Sequence, residues 1–270
     1  MHLGSPFCFA LVVAWLGVTV PNVIIAFFAV SIVFTSLTIL CERYDASIAL
    51  PAPTRAEVID GLFLVFVKGV AVGGGFVTVG WWALSQVPLW SGFGASWWGI
   101  AAATVGTDFA YYVIHRFLSH GTRGEVVRYY RRKHAYHHAV TALDFLRGNQ
   151  SSWVDTAFSQ FQPSLIVLSW LLGLDLAATW TAYLLILTLQ ATDHTSVTYN
   201  IGWLRYVFMD NHAHKFHHCI RGNLVNHAAA FSVFDRAFGT FYEDWSISSN
   251  YLHLHRIPLP IKAVSTEAQA

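Results

Sequence analysis

WGIAAATVGTDFAYYVIHRFLSH, residues 98–120, is the stretch that decides the fold. Asp108 is its only charge before His115, and about 20 apolar residues are enough to cross a bilayer. It therefore reads as a membrane helix, 98 to about 117, that runs directly into two histidines, His115 and His120. A basic segment follows at once, with Arg123, Arg128, Arg131, Arg132, Lys133 and Arg147. Basic loops mark the cytoplasmic side of a membrane protein, so the histidine end of this helix is expected to be cytoplasmic.

The rest of the chain suits that reading. Apolar residues make up 55% of the 270 and charged residues 11%, against about 25% charged in a soluble domain. The net charge of +1 excludes a broad electrostatic grip on nucleic acid. Cys8, Cys41 and Cys219 lack any pairing or CxxC spacing, which excludes a disulfide framework and a thiolate zinc site. No charge precedes Glu42. Residues 7–40 read either as one span, 23–40, or as a tight pair split at Pro21 and Asn22. Residues 58–84 read as another span, interrupted by Lys68 and Gly73-Gly74-Gly75. Uncharged residues 86–97, with their prolines and tryptophans, suit an interfacial turn.

Residues 163–190 are apolar except for Asp175. A single crossing would put the histidine-rich segments on opposite faces, so Gly173-Leu174-Asp175 is expected to turn this stretch back as a hairpin. The fold class is then all-α integral membrane, about four transmembrane or half-spanning helices capped by a cytosolic histidine-rich helical domain. The divisions are 1–118, 119–162, 163–192, 193–262 and a tail at 263–270, within one membrane domain of 1–270.

Histidine carries the chemistry. There are 14, and 11 of them fall between His115 and His227. His134-Ala-Tyr-His137-His138 and His214-Lys-Phe-His217-His218 are both HxxHH, whose positions i, i+3 and i+4 share a helix face. Each block is expected to aim two or three imidazoles at one point, and two facing blocks to surround a pair of metal ions. His115 and His120 add an HxxxxH. Asp108, seven residues before His115, is placed to orient a ligand. His194, His212 and His227 lie alone, and His253 and His255 read as surface residues. No glutamate lies in any block, against the HExxH of zinc peptidases. A haem site would use single histidines on facing helices. Neutral imidazoles at a membrane surface suit iron and O2 chemistry on an apolar molecule. A membrane zinc hydrolase and a non-catalytic metal- or haem-binding protein stand as the rival classes.

These blocks resemble the fatty acid hydroxylase/sterol desaturase superfamily of membrane di-iron oxygenases, over residues 42–243. DFAYYVIHRFLSH at 108–120 resembles its first histidine box, 134–138 its second and 214–218 its last. Asp193-His194-Thr195 resembles its lone histidine after the membrane hairpin. NHAAAFSVFDRAFGT at 226–240 resembles the signature that follows the last box, NYxxxxxxWDRxFGT. The resemblance implies metal ligands at His115, His120, His134, His137, His138, His194, His214, His217 and His218. His227 is a further ligand or a stand-in for the family's aromatic ring, and Asp108, Asp193, His212, Asn226 and Asp235 support from an outer layer. Thr198 stands where some members carry another histidine.

It further implies two Fe ions, O2 as co-substrate, and hydroxylation or else desaturation of a lipid-like substrate such as a sterol or fatty acyl chain. The chain has no nucleotide-binding glycine fingerprint, so electrons must come from an external donor: cytochrome b5, a ferredoxin or a similar carrier. The expected location is a bacterial inner membrane or the endoplasmic reticulum.

Overall fold

The computed structural model describes residues 4–44, 54–87, 92–139, 143–148, 150–152, 154–155, 161–190, 193–197, 200–220 and 224–247. Among these the regular elements are all helices, with one isolated bridge between Gly94 and Leu174. Thr198, His253, His255 and the tail at 263–270 lie outside the described residues.

The N-terminal stretch is a pair of helices, α1 (Gly4–Leu16) and α2 (Val20–Tyr44). The break is at Gly17, in the left-handed region at φ +92°, and not at Pro21. Asn22 Nδ2 donates to the carbonyls of Leu16 at 2.7 Å and Gly17 at 3.3 Å, satisfying groups that the end of α1 leaves open. Pro21 sits in the first turn of α2, where its missing N–H has no partner to lose. Among the described residues α2 is the one helix long and apolar enough to cross a membrane; Ile25, Ile32, Val33, Leu37 and Leu40 face outward from it.

Helix α3 (Arg55–Phe63) starts with a reciprocal cap. The Thr54 N–H donates to Glu57 Oε2 at 2.7 Å, and the Glu57 N–H donates to Thr54 Oγ1 at 3.3 Å. The helix widens over Leu64–Gly73 and narrows again as α4 (Gly74–Ser85). The glycines do not interrupt it. A Cβ on Gly73 would lie 2.1 Å from the Tyr183 hydroxyl, and one on Gly74 2.2 Å from Trp180. They allow this helix to press against a neighbour, and the Tyr183 hydroxyl donates to the Gly69 carbonyl.

Helix α5 (Trp97–Ile114) begins at Ser96, whose hydroxyl accepts the Gly99 N–H. It leads through a wide turn, His115–Ser119, to α6 (Glu125–His138). The expected hairpin follows as α7 (Gln162–Leu171) and α8 (Leu176–Gln190), with Gly173 at φ +61° in the turn. Asp175 caps α8 by accepting the Ala178 N–H at 2.7 Å, which explains a charge inside an apolar stretch. Helix α8 is the centre of the bundle. Helices α1, α2, α4, α5 and α7 pack around it, and Ala178, Trp180, Tyr183, Leu184 and Ile186 are buried there. Helices α1, α4, α7 and α8 are apolar but shorter than a full crossing. Helices α9 (Asn211–Cys219) and α10 (Ser232–Ala237) complete the histidine-bearing end.

Candidate metal centre

In a regular α-helix, positions i and i+5 point to different faces, because each residue turns about 100°. His115 and His120 meet because the segment between them is one wide turn, closed by the His120 N–H on the His115 carbonyl at 3.0 Å. Their Nε2 atoms lie 3.0 Å apart. Wide turns of this kind recur at functional sites.

Each HxxHH block aims two of its three imidazoles at one point and the third elsewhere. Positions i and i+4 lie about 40° apart around the helix, whereas i+3 lies about 100° from i+4. On α6, His134 and His138 therefore face one place and His137 another. On α9, His214 and His218 pair and His217 diverges. The result is an exchange. His115, His120, His134, His138 and His217 form one group, and His137, His194, His214 and His218 the other; within each, the ligand nitrogens lie within 4.8 Å of one another. The groups abut, with the His138 and His218 rings 4.5 Å apart. All nine histidines implied by the boxes and by the lone residue after the hairpin lie in these groups.

Neutral imidazole has one N–H and one lone pair. His115 Nδ1 lies 2.6 Å from the His227 carbonyl, His137 Nδ1 2.9 Å from that of Gln150, and His217 Nδ1 2.7 Å from that of Val225. A carbonyl only accepts, so each Nδ1 carries the proton and each Nε2 presents a bare lone pair. In the four-histidine group His194 Nε2 lies 3.2 Å from His137 Nε2 and 3.0 Å from His214 Nε2; in the five-histidine group His115 Nε2 is 2.9 Å from the Nε2 of His134, whose Nδ1 faces the Asp155 carboxylate at 3.1 Å, so two lone pairs meet. Lone pairs at that distance repel unless a cation lies between them. Metal–imidazole bonds are about 2.0–2.1 Å, and adjacent ligands on one ion are then about 3 Å apart. The residues fit a metal in both groups.

Burial, and then the neighbouring rings, hold His120, His138, His214 and His217 far below the ordinary histidine pKa; the same causes put His137 at about 4. This has a pH consequence. As pH falls through 6.5, the unfolded chain takes up protons that the folded, metal-free site refuses, so unfolding is favoured. The metal-free protein is expected to lose stability from about pH 6.5 downward, at least as far as the value of about 4 at which His137 takes up its proton. Its Tm should drop by at least about 10 °C between pH 7 and pH 5. An unchanged Tm in thermal scans of chelator-treated protein would contradict the burial of neutral rings.

The outer layer departs from the sequence expectation. Asp108 does not bond a ligand ring. Its carboxylate accepts the N–H groups of Ala229 at 3.2 Å, Ala230 at 2.9 Å and Phe231 at 2.9 Å. Asp235 accepts those of His227 and Ala228, both at 2.8 Å. Both acids thus hold the loop whose His227 carbonyl anchors His115. Asn226, at φ 55°, bridges the Ala213 and Tyr242 carbonyls through Nδ2, at 2.7 Å each. Asp193 is buried beside His194. His227 is buried but belongs to neither group; its ring centre is 5.5–5.7 Å from those of His115, His120 and His217. His212 stacks on Trp245 at 4.3 Å and bonds the Asp244 carbonyl.

Several partners went unread in the sequence. Asp155, in a segment without any periodic signal, holds His134 Nδ1 at 3.1 Å. Arg116 Nη1 donates to the Tyr112 hydroxyl at 2.7 Å, Tyr112 lies 3.0 Å from Thr240 Oγ1, and Thr240 donates to Asp235 at 2.7 Å. Lys215 is fully buried, its Nζ on the Ser196 carbonyl at 3.0 Å, and burial lowers its pKa to about 7. Glu42 accepts the Ser196 N–H at 2.7 Å, tying the end of α2 to the same segment.

Gly148 leaves no room for a side chain: a Cβ there would sit 2.2 Å from His194 Cβ and 2.9 Å from the Asp144 carbonyl. Gly148→Ala is expected to displace His194, remove metal from the four-histidine group and cost about 1–3 kcal/mol. Metal content per chain and Tm check this; unchanged values would mean that His194 can yield.

The family model described as Fatty acid hydroxylase matches residues 100–240, which covers most of α5, both groups and α10. No curated protein and no solved structure matches the chain.

Proposed function

The chain belongs to the fatty acid hydroxylase family, within the fatty acid hydroxylase/sterol desaturase superfamily, and from that premise we propose that it is a membrane-bound di-iron oxidoreductase that hydroxylates a lipid-like substrate with O2. The observation that carries this is the convergence of nine histidines into two abutting groups, with the lone pairs of His115 and His134 facing each other. Desaturation is the second outcome of the same chemistry. Iron held by these groups would supply O2 activation strong enough to oxidise an unactivated C–H bond.

The chain's own residues hold, orient and insulate. His115, His134, His137 and His217 are fixed through Nδ1 by the His227 carbonyl, the Asp155 carboxylate and the carbonyls of Gln150 and Val225. Anchors of this kind set ring orientation and strengthen the facing nitrogen as a donor. Helix α9 is buried along most of its length, which keeps bulk water from the rings. The substrate class follows from the apolar helices that end at this site: a sterol, fatty acyl chain, sphingoid base or carotenoid would reach it from the bilayer. In this reading 1–270 is one membrane domain of about four crossing or half-crossing helices. Its histidine face is cytoplasmic, in a bacterial inner membrane or the endoplasmic reticulum, and an external carrier such as cytochrome b5 or a ferredoxin supplies electrons.

Two measurements test this. Purified protein from iron-replete cells should contain about two Fe per chain, one for each histidine group. Lipid extracts from cells with and without the gene should differ by species gaining one oxygen, or losing two hydrogens for desaturation. Stoichiometric zinc would favour a hydrolase, a Soret band a haem protein, and either would overturn the proposal.

A further inference from the structure

The two histidine groups differ in what stands behind their rings. In the five-histidine group, His115 is anchored by the His227 carbonyl, His134 by the Asp155 carboxylate and His217 by the Val225 carbonyl, at 2.6, 3.1 and 2.7 Å. In the four-histidine group, His137 is anchored by Gln150. The Nδ1 atoms of His194, His214 and His218 are buried and have no hydrogen-bond partner among the described residues.

A ring that gives Nε2 to a metal keeps its proton on Nδ1. Where that N–H meets an oxygen, the ring is held in place and its facing nitrogen gains basicity; where it meets nothing, the N–H has lost water without replacement. The carboxylate behind His134 adds to the contrast, because it supplies negative charge next to a cation bound by otherwise neutral ligands. The smaller group has one imidazole fewer and three rings with unanswered N–H groups. Its polar loss falls on His194, His214 and His218, the rings that would have to bear its ion.

We infer that the two sites load unequally: the five-histidine site takes the first metal ion and keeps it, while the four-histidine site takes the second weakly and gives it up first. This rests on the di-metal reading above and deepens it. Removing one such anchor ordinarily costs 10–100-fold in metal affinity, so three unanchored rings put the difference between sites at tenfold or more. A half-loaded protein with one ion in the five-histidine site is then a stable species.

Anaerobic titration of the metal-free, detergent-solubilised full chain with Fe(II), followed by release to a chelator, reads this without any turnover. Two steps are expected, with affinities at least about tenfold apart and release in a fast and a slow phase. His214→Ala should abolish the weak step and leave the tight one; His218→Gln serves the same purpose if the first variant folds poorly. Asp155→Ala should weaken the tight step by about 10–100-fold and leave the other unchanged, with Asp155→Asn in between. Two ions binding in one step of equal affinity would overturn the inference. So would loss of the tight step in His214→Ala, or its survival unchanged in Asp155→Ala. Absence of any iron binding would overturn the metal-centre reading itself, and this inference with it.

Discussion

His217→Ala is expected to abolish lipid oxidation and to remove the tightly held metal ion. His217 is the residue through which α9 reaches the group built mainly from the His115 turn and α6: its ring lies 4.6 Å from that of His115, 4.7 Å from His120 and 4.8 Å from His138. It is fully buried, and its Nδ1 is committed to Val225, so its orientation is fixed before any metal arrives. No neighbouring side chain in the group can substitute, because His214 and His218 face the other one. Rate losses of at least about a thousandfold are typical when a unit of this kind loses a member. Product analysis and iron content together check it. Activity within about tenfold of the parent would show that His217 is not needed at the centre.

Asp108→Ala should produce the largest loss of stability. The carboxylate is buried and accepts three backbone N–H groups from residues 229–231. Alanine leaves all three donors buried with nothing to receive them, at about 1–3 kcal/mol each. A total of about 3–9 kcal/mol would lower Tm by at least about 6–10 °C. The damage would extend to the site, because the loop's His227 carbonyl is the acceptor for His115 Nδ1. Asp108→Asn, which keeps one accepting oxygen, should fall between. A shift of less than about 3 °C would mean that the loop is held by Asp235 and Asn226 alone.

Much of the arrangement was legible before any coordinates, for physical reasons that differ from element to element. The hairpin turn at Gly173 follows from glycine's freedom at positive φ together with a charge ready to cap α8, and both are local. The break at Gly17 was legible by the same rule, but Pro21 drew attention although proline is at home in a first helical turn. The nine histidines of the two groups stand out because imidazole is rare in an apolar chain and these cluster at helical spacing. How they divide between ions follows from the 100° step for each helix alone, yet the pairing of α6 with α9 depends on tertiary contact. The anchors are harder. The acceptors behind His115, His137 and His217 are backbone carbonyls, which every residue owns and no motif marks. Asp155 is an ordinary acid in an ordinary stretch until the fold sets it beside His134. The spacing of His115 and His120 does not bring them together on a regular helix; the wide turn between them does.

The exchange between the two histidine-bearing helices has a mechanical meaning. Because α6 sends His134 and His138 to one group and His137 to the other, while α9 does the reverse, neither helix can turn about its own axis without spoiling both positions together. A pair of bound ions would act like two pins through crossed bars, fixing rotation as well as distance. An inserted residue ahead of His134 would swing all three of its rings by about 100°, so the register of a short helix is guarded by the chemistry it serves.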